Sequence, residues 1–313
     1  MSEHVLKFGV IGAGGYWGPN WVRVLLQAGM LGAVCDRDSS RLQQVKARFG
    51  LGEKEIPSFS VPCNLLYLDL DGVFIVTPPA SHALLAIPAL ERGKHVFIEK
   101  PLALSSEECT AIEEAAVLAN RQVMVGHTFI FHPAVRKFKT LLPLVGTLRT
   151  ISSVRANFGQ YQTSGIILDL LPHDLSIFNY LLGCSPECVK AEESPCQDVA
   201  FVTCTYEGVT CSAYLSWSYP DKTRKLIAVG STGILEWDLS TNHLLHHKKW
   251  CDPLVQGKFH HHDKGTETIL VSDQSEPLMN ELLHFAQCVR DNCAPIQGLP
   301  EGRAVVEGLV QCQ

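Results

Sequence analysis

Val5-Leu6-Lys7-Phe8-Gly9-Val10-Ile11 runs directly into Gly12-Ala13-Gly14-Gly15-Tyr16-Trp17-Gly18-Pro19-Asn20. An apolar run of strand character enters a glycine cluster, and a helical pattern from Pro19 to Ala28 leaves it. The spacing is GxGxxxG, one residue longer than the usual dinucleotide fingerprint. Glycines here permit a tight turn and let the backbone approach a pyrophosphate at a helix N-terminus, where amides and the dipole favour negative charge. The plain alternative is an ordinary strand-to-helix turn.

Asp36 stands 22 residues after Gly14, at the end of the next apolar run. A carboxylate there accepts hydrogen bonds from adenosine ribose hydroxyls and repels a 2′-phosphate, which favours NAD over NADP. Arg37 and Arg41 are close enough to accommodate that phosphate, so NADP stays possible. A simple loop carboxylate is the plain alternative.

Outward from this turn, short apolar runs alternate with amphipathic stretches, the order of a doubly wound parallel sheet with crossover helices. The pattern predicts strands Val5 to Ile11, Leu31 to Asp36, Gly72 to Thr77, His95 to Glu99 and Gln122 to Gly126. Helices are predicted at Pro19 to Ala28, Ser40 to Phe49 (capped by Ser39 or Ser40), Ser81 to Arg92 and Ser105 to Asn120, the last opening on a capping box. Residues 1–128 thus read as an N-terminal Rossmann domain, and 129–313 as a C-terminal α+β domain.

From about Leu148 the period falls to two, as in Val209, Cys211, Ala213, Leu215 and Trp217. Similar runs at Leu148 to Phe158, Asp198 to Tyr206, Arg224 to Gly230, Ile234 to Asp238 and Thr268 to Ser272 predict one large open, mostly antiparallel sheet. One helix, about Asp169 to Leu182, interrupts them, and a last helical pattern covers Arg303 to Val310. The His- and Lys-rich run from Asn242 to Asp263 reads as an exposed loop.

The 313 residues suffice for two cored domains, and 46% hydrophobic with 19% charged residues excludes a largely disordered chain. A net charge of −6 gives no general attraction to nucleic acid. No run approaches a membrane span, and Met1-Ser2-Glu3-His4 lacks the basic start of a secretory signal. The 12 cysteines are scattered without a CxxC pair and read as reduced thiols in a cytoplasm.

Two further segments narrow the chemistry: Thr77-Pro78-Pro79-Ala80-Ser81-His82 and Glu99-Lys100-Pro101. With the glycine turn, and with Gly126-His127-Thr128-Phe129, Phe131-His132-Pro133-Ala134-Val135 and Asp169-Leu170-Leu171-Pro172-His173-Asp174, they resemble the Gfo/Idh/MocA oxidoreductases. The likeness is to the branch that includes nucleotide-sugar 3-dehydrogenases. It implies an NAD(P)-dependent oxidoreductase acting on a secondary hydroxyl or keto group of a sugar or nucleotide sugar. Alcohol oxidation needs a proton acceptor near neutral pH, and imidazole suits it; Asp169 and His173, four apart, share a helix face.

The resemblance implies His173 as acid/base, Lys100 as hydroxyl-binding and proton-relay group, and Asp169 as their polar partner. It implies a dinucleotide held by Gly12, Gly14, Gly15, Tyr16, Trp17, Gly18, Asp36, Arg37, Thr77, Pro78, Pro79, His82, Glu99 and Lys100, and a Lys100-Pro101 bond that is cis. Substrate contacts are assigned to His127, Phe131, Asn157, Lys222 and Arg224; the last two read from the sequence either as contacts to a substrate diphosphate or as a solvated strand end. The plain alternatives are a His173 satisfied by Asp174 and a solvated Lys100.

Departures shift the lean from inositol-like substrates towards a nucleotide sugar: Tyr161 to Leu168 replace a Gly-rich stretch, and Ser176 stands where polyol dehydrogenases carry an Asp. A closing segment found in many relatives is also expected to be missing after Gln313. No metal is expected, since His260-His261-His262-Asp263, with His243, His246 and His247, read as consecutive residues of a loop. One face of the open sheet calls for a partner, implying a homodimer or homotetramer. A non-catalytic dinucleotide- or sugar-sensing regulator is the competing reading, and imine reduction a third.

Overall fold

A computed structural model describes residues 5–52, 55–159, 161–162, 164–239, 241, 243–252 and 260–312. It divides into two compact units, Met1–Thr128 with Leu278–Val306, and Phe129–Pro277 with Glu307–Gln313.

The first unit is built on strands β1 (Phe8–Ile11), β2 (Leu31–Cys35), β3 (Ser58–Phe59), β4 (Gly72–Ile75), β5 (His95–Glu99) and β6 (Val123–Gly126). All pair in parallel, in the order β3-β2-β1-β4-β5-β6. β1 and β4 are buried at every residue, which is why they read as unbroken apolar runs rather than alternating ones. The chain winds one way from β1 to β3 and the other way from β4 to β6. The ends of β1 and β4 therefore form the switch point at which such sheets bind ligands.

Helices α1 (Gly18–Gln27), α2 (Ser39–Phe49), α3 (Pro62–Leu66), α4 (His82–Glu91) and α5 (Ser106–Ala119) link the strands. The cap of α2 is Asp38, whose side chain accepts from the backbone of Ser40 and Arg41, rather than the expected Ser39 or Ser40. Ser105 caps α5 as expected, accepting the Glu108 amide at 3.2 Å. The two-residue β3 and five-residue α3 lay outside the sequence expectation because neither is long enough to show a period.

The cut after residue 128 omits a return of the chain. In α8 (Pro277–Asp291), Phe285 packs 5.6 Å from both Phe8 and Phe74 and 5.8 Å from Phe97, and Trp21 of α1 closes the aromatic cluster. Residues 278–306 thus belong with the first unit, although the sequence places them in the second domain; the boundary falls inside α9 (Leu299–Val310).

The second unit holds α6 (Pro133–Leu141), α7 (Ile166–Leu182) and strands β7 (Leu148–Phe158), β8 (Cys188–Glu193), β9 (Val199–Tyr206), β10 (Val209–Ser216), β11 (Ser218–Gly230), β12 (Ile234–Asp238), β13 (His243–Cys251) and β14 (His261–Leu270). Their order is β14-β13-β12-β11-β7-β10-β9-β8, antiparallel except for β7 with β10. On β9 the inward Ala200, Val202, Cys204 and Tyr206 are buried and the residues between are not, the alternation that marks a half-covered sheet.

The expected loop from Asn242 to Asp263 is instead largely a hairpin, β13 paired with β14. Histidine hid the period. Leu244 and His246 point inward and are buried, while His247 bonds Glu236 and His262 bonds Asp252. Residues 253–259 lie outside the described set. Among the described residues no helix is long and apolar enough to cross a membrane.

Phe285→Ala is expected to lower stability by about 3–5 kcal/mol, the usual cost of an aromatic cavity. Denaturant unfolding checks this. A change under about 1 kcal/mol would show that residues 278–306 are not part of the first core.

Candidate functional site

The glycine turn is shaped by what it excludes. Gly12 has φ +89°, a conformation open chiefly to glycine, and a Cβ there would strike the Val76 carbonyl at the end of β4. A Cβ on Gly18 would strike the carbonyls of Gly12 and Ala13. The Gly12 and Ala13 amides donate to the Cys35 carbonyl at 2.8 and 3.0 Å, joining the ends of β1 and β2.

Asp36 follows β2 and is 7% exposed. Its Oδ2 accepts the Gly14 amide at 2.8 Å and its Oδ1 the Asp38 amide at 2.9 Å, so backbone amides orient the carboxylate. α1 starts with no acidic residue in its first turn and no side-chain cap, leaving its dipole and amides to an incoming anion. Gly15 is half-buried, and Tyr16 and Trp17 are exposed. Arg37 is exposed, and Arg41 pairs with Asp38 at 3.4 Å. A cradle that backbone lines and side chains cannot enter, with an acid at the end of β2, fits a dinucleotide.

Thr77, Pro78 and Pro79 follow β4 at the surface, where Ser81 Oγ donates to Thr77 Oγ1 at 2.8 Å. His82 does not join them. It has no exposed surface, and its ring nitrogens lie 2.8 Å from the carbonyls of Thr77 and Pro101. Read from sequence as a cofactor contact, it instead clasps two turns together, and burial pulls its pKa down.

Glu99 ends β5, and its carboxyl also points inward. Trp21 Nε1 donates to Oε1 at 2.6 Å, the Trp17 indole bonds the same carboxyl, and the Lys100 amide donates to Oε2 at 3.3 Å. Burial pushes the Glu99 pKa up, while these donors and the Lys100 charge oppose the rise. Its place is to tie α1 and the glycine turn to the end of β5. Lys100 follows, half-buried, and the Lys100–Pro101 bond is cis.

Two expected substrate contacts are inside. His127 has no exposed surface, with Nδ1 2.7 Å from Gln297 Oε1. Gln297 Nε2 donates to the Ile296 carbonyl, which turns its oxygen to the ring and makes His127 Nδ1–H the donor. Burial, with the Lys100 charge, lowers the His127 pKa to about 4. Phe131 is fully buried, with the Arg136 guanidinium over its ring at 5.0 Å. Both corrections have one cause, since chain leaving a strand end is as readily packed inward as presented to a ligand.

In the second unit Asp169 and His173 lie four apart near the start of α7, both half-buried. Asp174, the next residue, is buried. Arg155 of β7 grips it, Nε to Oδ2 at 2.9 Å and Nη2 to Oδ1 at 3.1 Å, with both residues buried. The Phe129 ring meets the His173 ring edge-on at 5.1 Å, under the Arg155 guanidinium at 4.4 Å and near that of Arg224 at 5.8 Å.

Arg224 is thus brought towards His173 through the Phe129 ring, Asn157 is half-buried two residues beyond Arg155 on β7, and Lys222 is exposed. Sequence reasoning missed Arg155 and Phe129. The available signal was a charge at the inward parity of β7, after Ile151 and Ser153.

The description "Oxidoreductase family, NAD-binding Rossmann fold" matches residues 6–127, and the Gfo/Idh/MocA C-terminal domain matches 146–236. The chain belongs to the Gfo/Idh/MocA family. Its first unit carries an NAD-binding Rossmann domain. Over 192 residues it is 31% identical to scyllo-inositol 2-dehydrogenase (NAD(+)) of Bacillus subtilis, covering 58% of this chain and 55% of that one. Over 188 residues it is 30% identical to UDP-N-acetylglucosamine 3-dehydrogenase of Acidithiobacillus ferrooxidans, covering 59% and 57%. The chain thus spans little more than half the length of these curated relatives. The solved structure of the latter enzyme, GnnA, superposes with TM-score 0.84 over 98% of this chain and 96% of that one at 23% identity, a likeness of fold.

His127 is neutral in the folded state, with its pKa depressed from 6.5 to about 4, so the unfolded chain takes its proton first. The stability it contributes is present above pH 6.5 and is lost as pH falls through about 4, up to about 3 kcal/mol. His127→Gln is expected to flatten that loss in thermal unfolding measured from pH 7 to 4. An unchanged slope would show that His127 is not held neutral.

Proposed function

We propose that the protein is an NAD-dependent dehydrogenase that transfers a hydride between the nicotinamide and a secondary alcohol or ketone of a sugar, with a nucleotide sugar favoured. The observation that carries this is the placement of Lys100. It stands at the carboxyl end of β5 in an NAD-binding sheet, on a Glu99 anchored by Trp21. That is the edge at which doubly wound sheets hold ligands.

When bound, the nicotinamide supplies the hydride acceptor or donor. The remaining work falls to the chain. Lys100 donates a hydrogen bond to the reacting oxygen, and its charge stabilises a developing alkoxide. His173 takes the hydroxyl proton, and Asp169, one helical turn away, orients the imidazole. The Arg155–Asp174 pair and the Phe129 ring fix the section of α7 that carries His173. Asp36 sets the preference for NAD over NADP.

Arg224 contacts the diphosphate of a nucleotide sugar, with Lys222 at the strand's exposed end. Ser176 donates to the His173 carbonyl at 2.9 Å and so leaves no acid three residues beyond the histidine, which supports the lean away from polyols. The two named relatives, one an inositol and one a nucleotide-sugar dehydrogenase, support a hydroxylated ring as substrate. The sheet face carrying Phe201, which is 61% exposed and 5.1 Å from Tyr214, is the surface we assign to a second copy, in a cytoplasmic homodimer or homotetramer.

A screen of nucleotide sugars, free sugars and polyols at the reduced-nicotinamide absorbance band, with NAD and NADP, tests the reading. A substrate is expected, with NAD preferred. His173→Ala is expected to cut turnover about a hundredfold or more with little change in NAD affinity, and Lys100→Ala at least as much. Full activity in both variants would make the constellation structural. NAD binding without any substrate, coupled to a response in a macromolecular partner, would favour a sensor.

A further inference from the structure

Glu281 of α8 has no exposed surface, yet it is an acid. Its Oε2 accepts from Thr128 Oγ1 at 2.7 Å, and its Oε1, also buried, has no hydrogen-bond partner. An ionised carboxylate in that setting bears a charge with one donor to offset it, which costs several kcal/mol.

The charge beside it has the wrong sign, because Glu99 repels the ionised form and adds to the effect of burial. Both acids surround the end of β6. Glu99 pairs in register with Gly126, where a Cβ would come within 3.0 Å of Glu99 Oε2, and Thr128, two residues on, holds Glu281. The bare Gly126 leaves room for that carboxylate oxygen.

Two carboxyls in one dry site do not both ionise, and one proton stays with the pair. The donor inventory assigns it. Glu99 is served by the indoles of Trp21 and Trp17, the Lys100 amide and the Lys100 charge, all of which favour its anion. Glu281 has the Thr128 hydroxyl. The proton therefore resides on Glu281, and a neutral carboxyl accounts for a buried oxygen that no donor serves. The other titratable groups nearby are His127 on the β6 exit, neutral beside Lys100, and His284 on α8, engaged with Cys288 and the Ile296 amide.

We propose that Glu281 is a positioning residue, kept as the carboxylic acid, so that Glu99 alone carries the negative charge of this site and anchors the Lys100 segment as an anion. This deepens the proposed function and rests on it for the role of Lys100. The protonation itself stands apart from any activity.

Infrared spectra of the full chain at pH 7 read the proton directly. The carbonyl stretch of a buried carboxylic acid is expected in the wild type and in Glu99→Gln, and is expected to vanish in Glu281→Gln. A band that survives Glu281→Gln and is lost in Glu99→Gln would place the proton on Glu99, and absence of the band from the wild type would mean both acids ionise; either overturns the proposal.

Turnover supplies the second readout. Glu281→Gln, neutral at every pH, is expected to stay within about threefold of wild type, with the acidic limb of its pH–rate profile unmoved. A fall of about tenfold or more in Glu281→Gln would mean that the carboxyl works as an anion, which overturns the proposal. If the wild type turns over no substrate, the dehydrogenase reading fails while the infrared result still decides where the proton sits.

Discussion

Everything in the first unit depends on the close approach of Gly12 to the Val76 carbonyl. The contact joins the ends of β1 and β4, the two strands between which the sheet changes direction. It is possible only because residue 12 has no side chain and φ +89°. Given that contact, the N-terminus of α1 is presented uncapped, Asp36 is drawn to the Gly14 amide, and Trp21 reaches from α1 to Glu99. The cofactor cradle and the Lys100 segment are thus two consequences of one backbone constraint.

The second unit uses ionic rather than steric locking. Arg155 and Asp174 form a buried bidentate pair between β7 and α7. Such a pair costs desolvation and is weak as a source of net stability, but it fixes geometry, since breaking either half leaves a buried charge. Phe129 extends the lock to the ring of His173. In each unit the group proposed to do chemistry is adjacent in sequence to a buried acid whose partners hold it: Lys100 to Glu99, and His173 to Asp174.

The sequence carried the fold well where local patterns suffice. Strands buried on both faces announced themselves as apolar runs, and the half-covered sheet announced itself by alternation. It failed where the pattern was too short, as in β3 and α3, or disguised, as in β13, where His246 occupies an inward position. It also failed where the cause is distant, because nothing near Phe285 says that the ring belongs beside Phe8. At the site, motifs named His82, Glu99, His127 and Phe131, but whether a named side chain faces a ligand or the interior is set by neighbours far along the chain. Gln297 and Trp21 decide that for His127 and Glu99.

Hydride transfer to a nicotinamide is followed most directly by isotope transfer. A sugar deuterated at its secondary carbinol carbons is incubated with the protein and NAD, and the dinucleotide is recovered for NMR. Deuterium is expected at C4 of the reduced nicotinamide ring, delivered to a single face. Reduced nicotinamide carrying no deuterium, or none formed with any hydroxylated ring while NAD binds, would contradict hydride transfer by this protein.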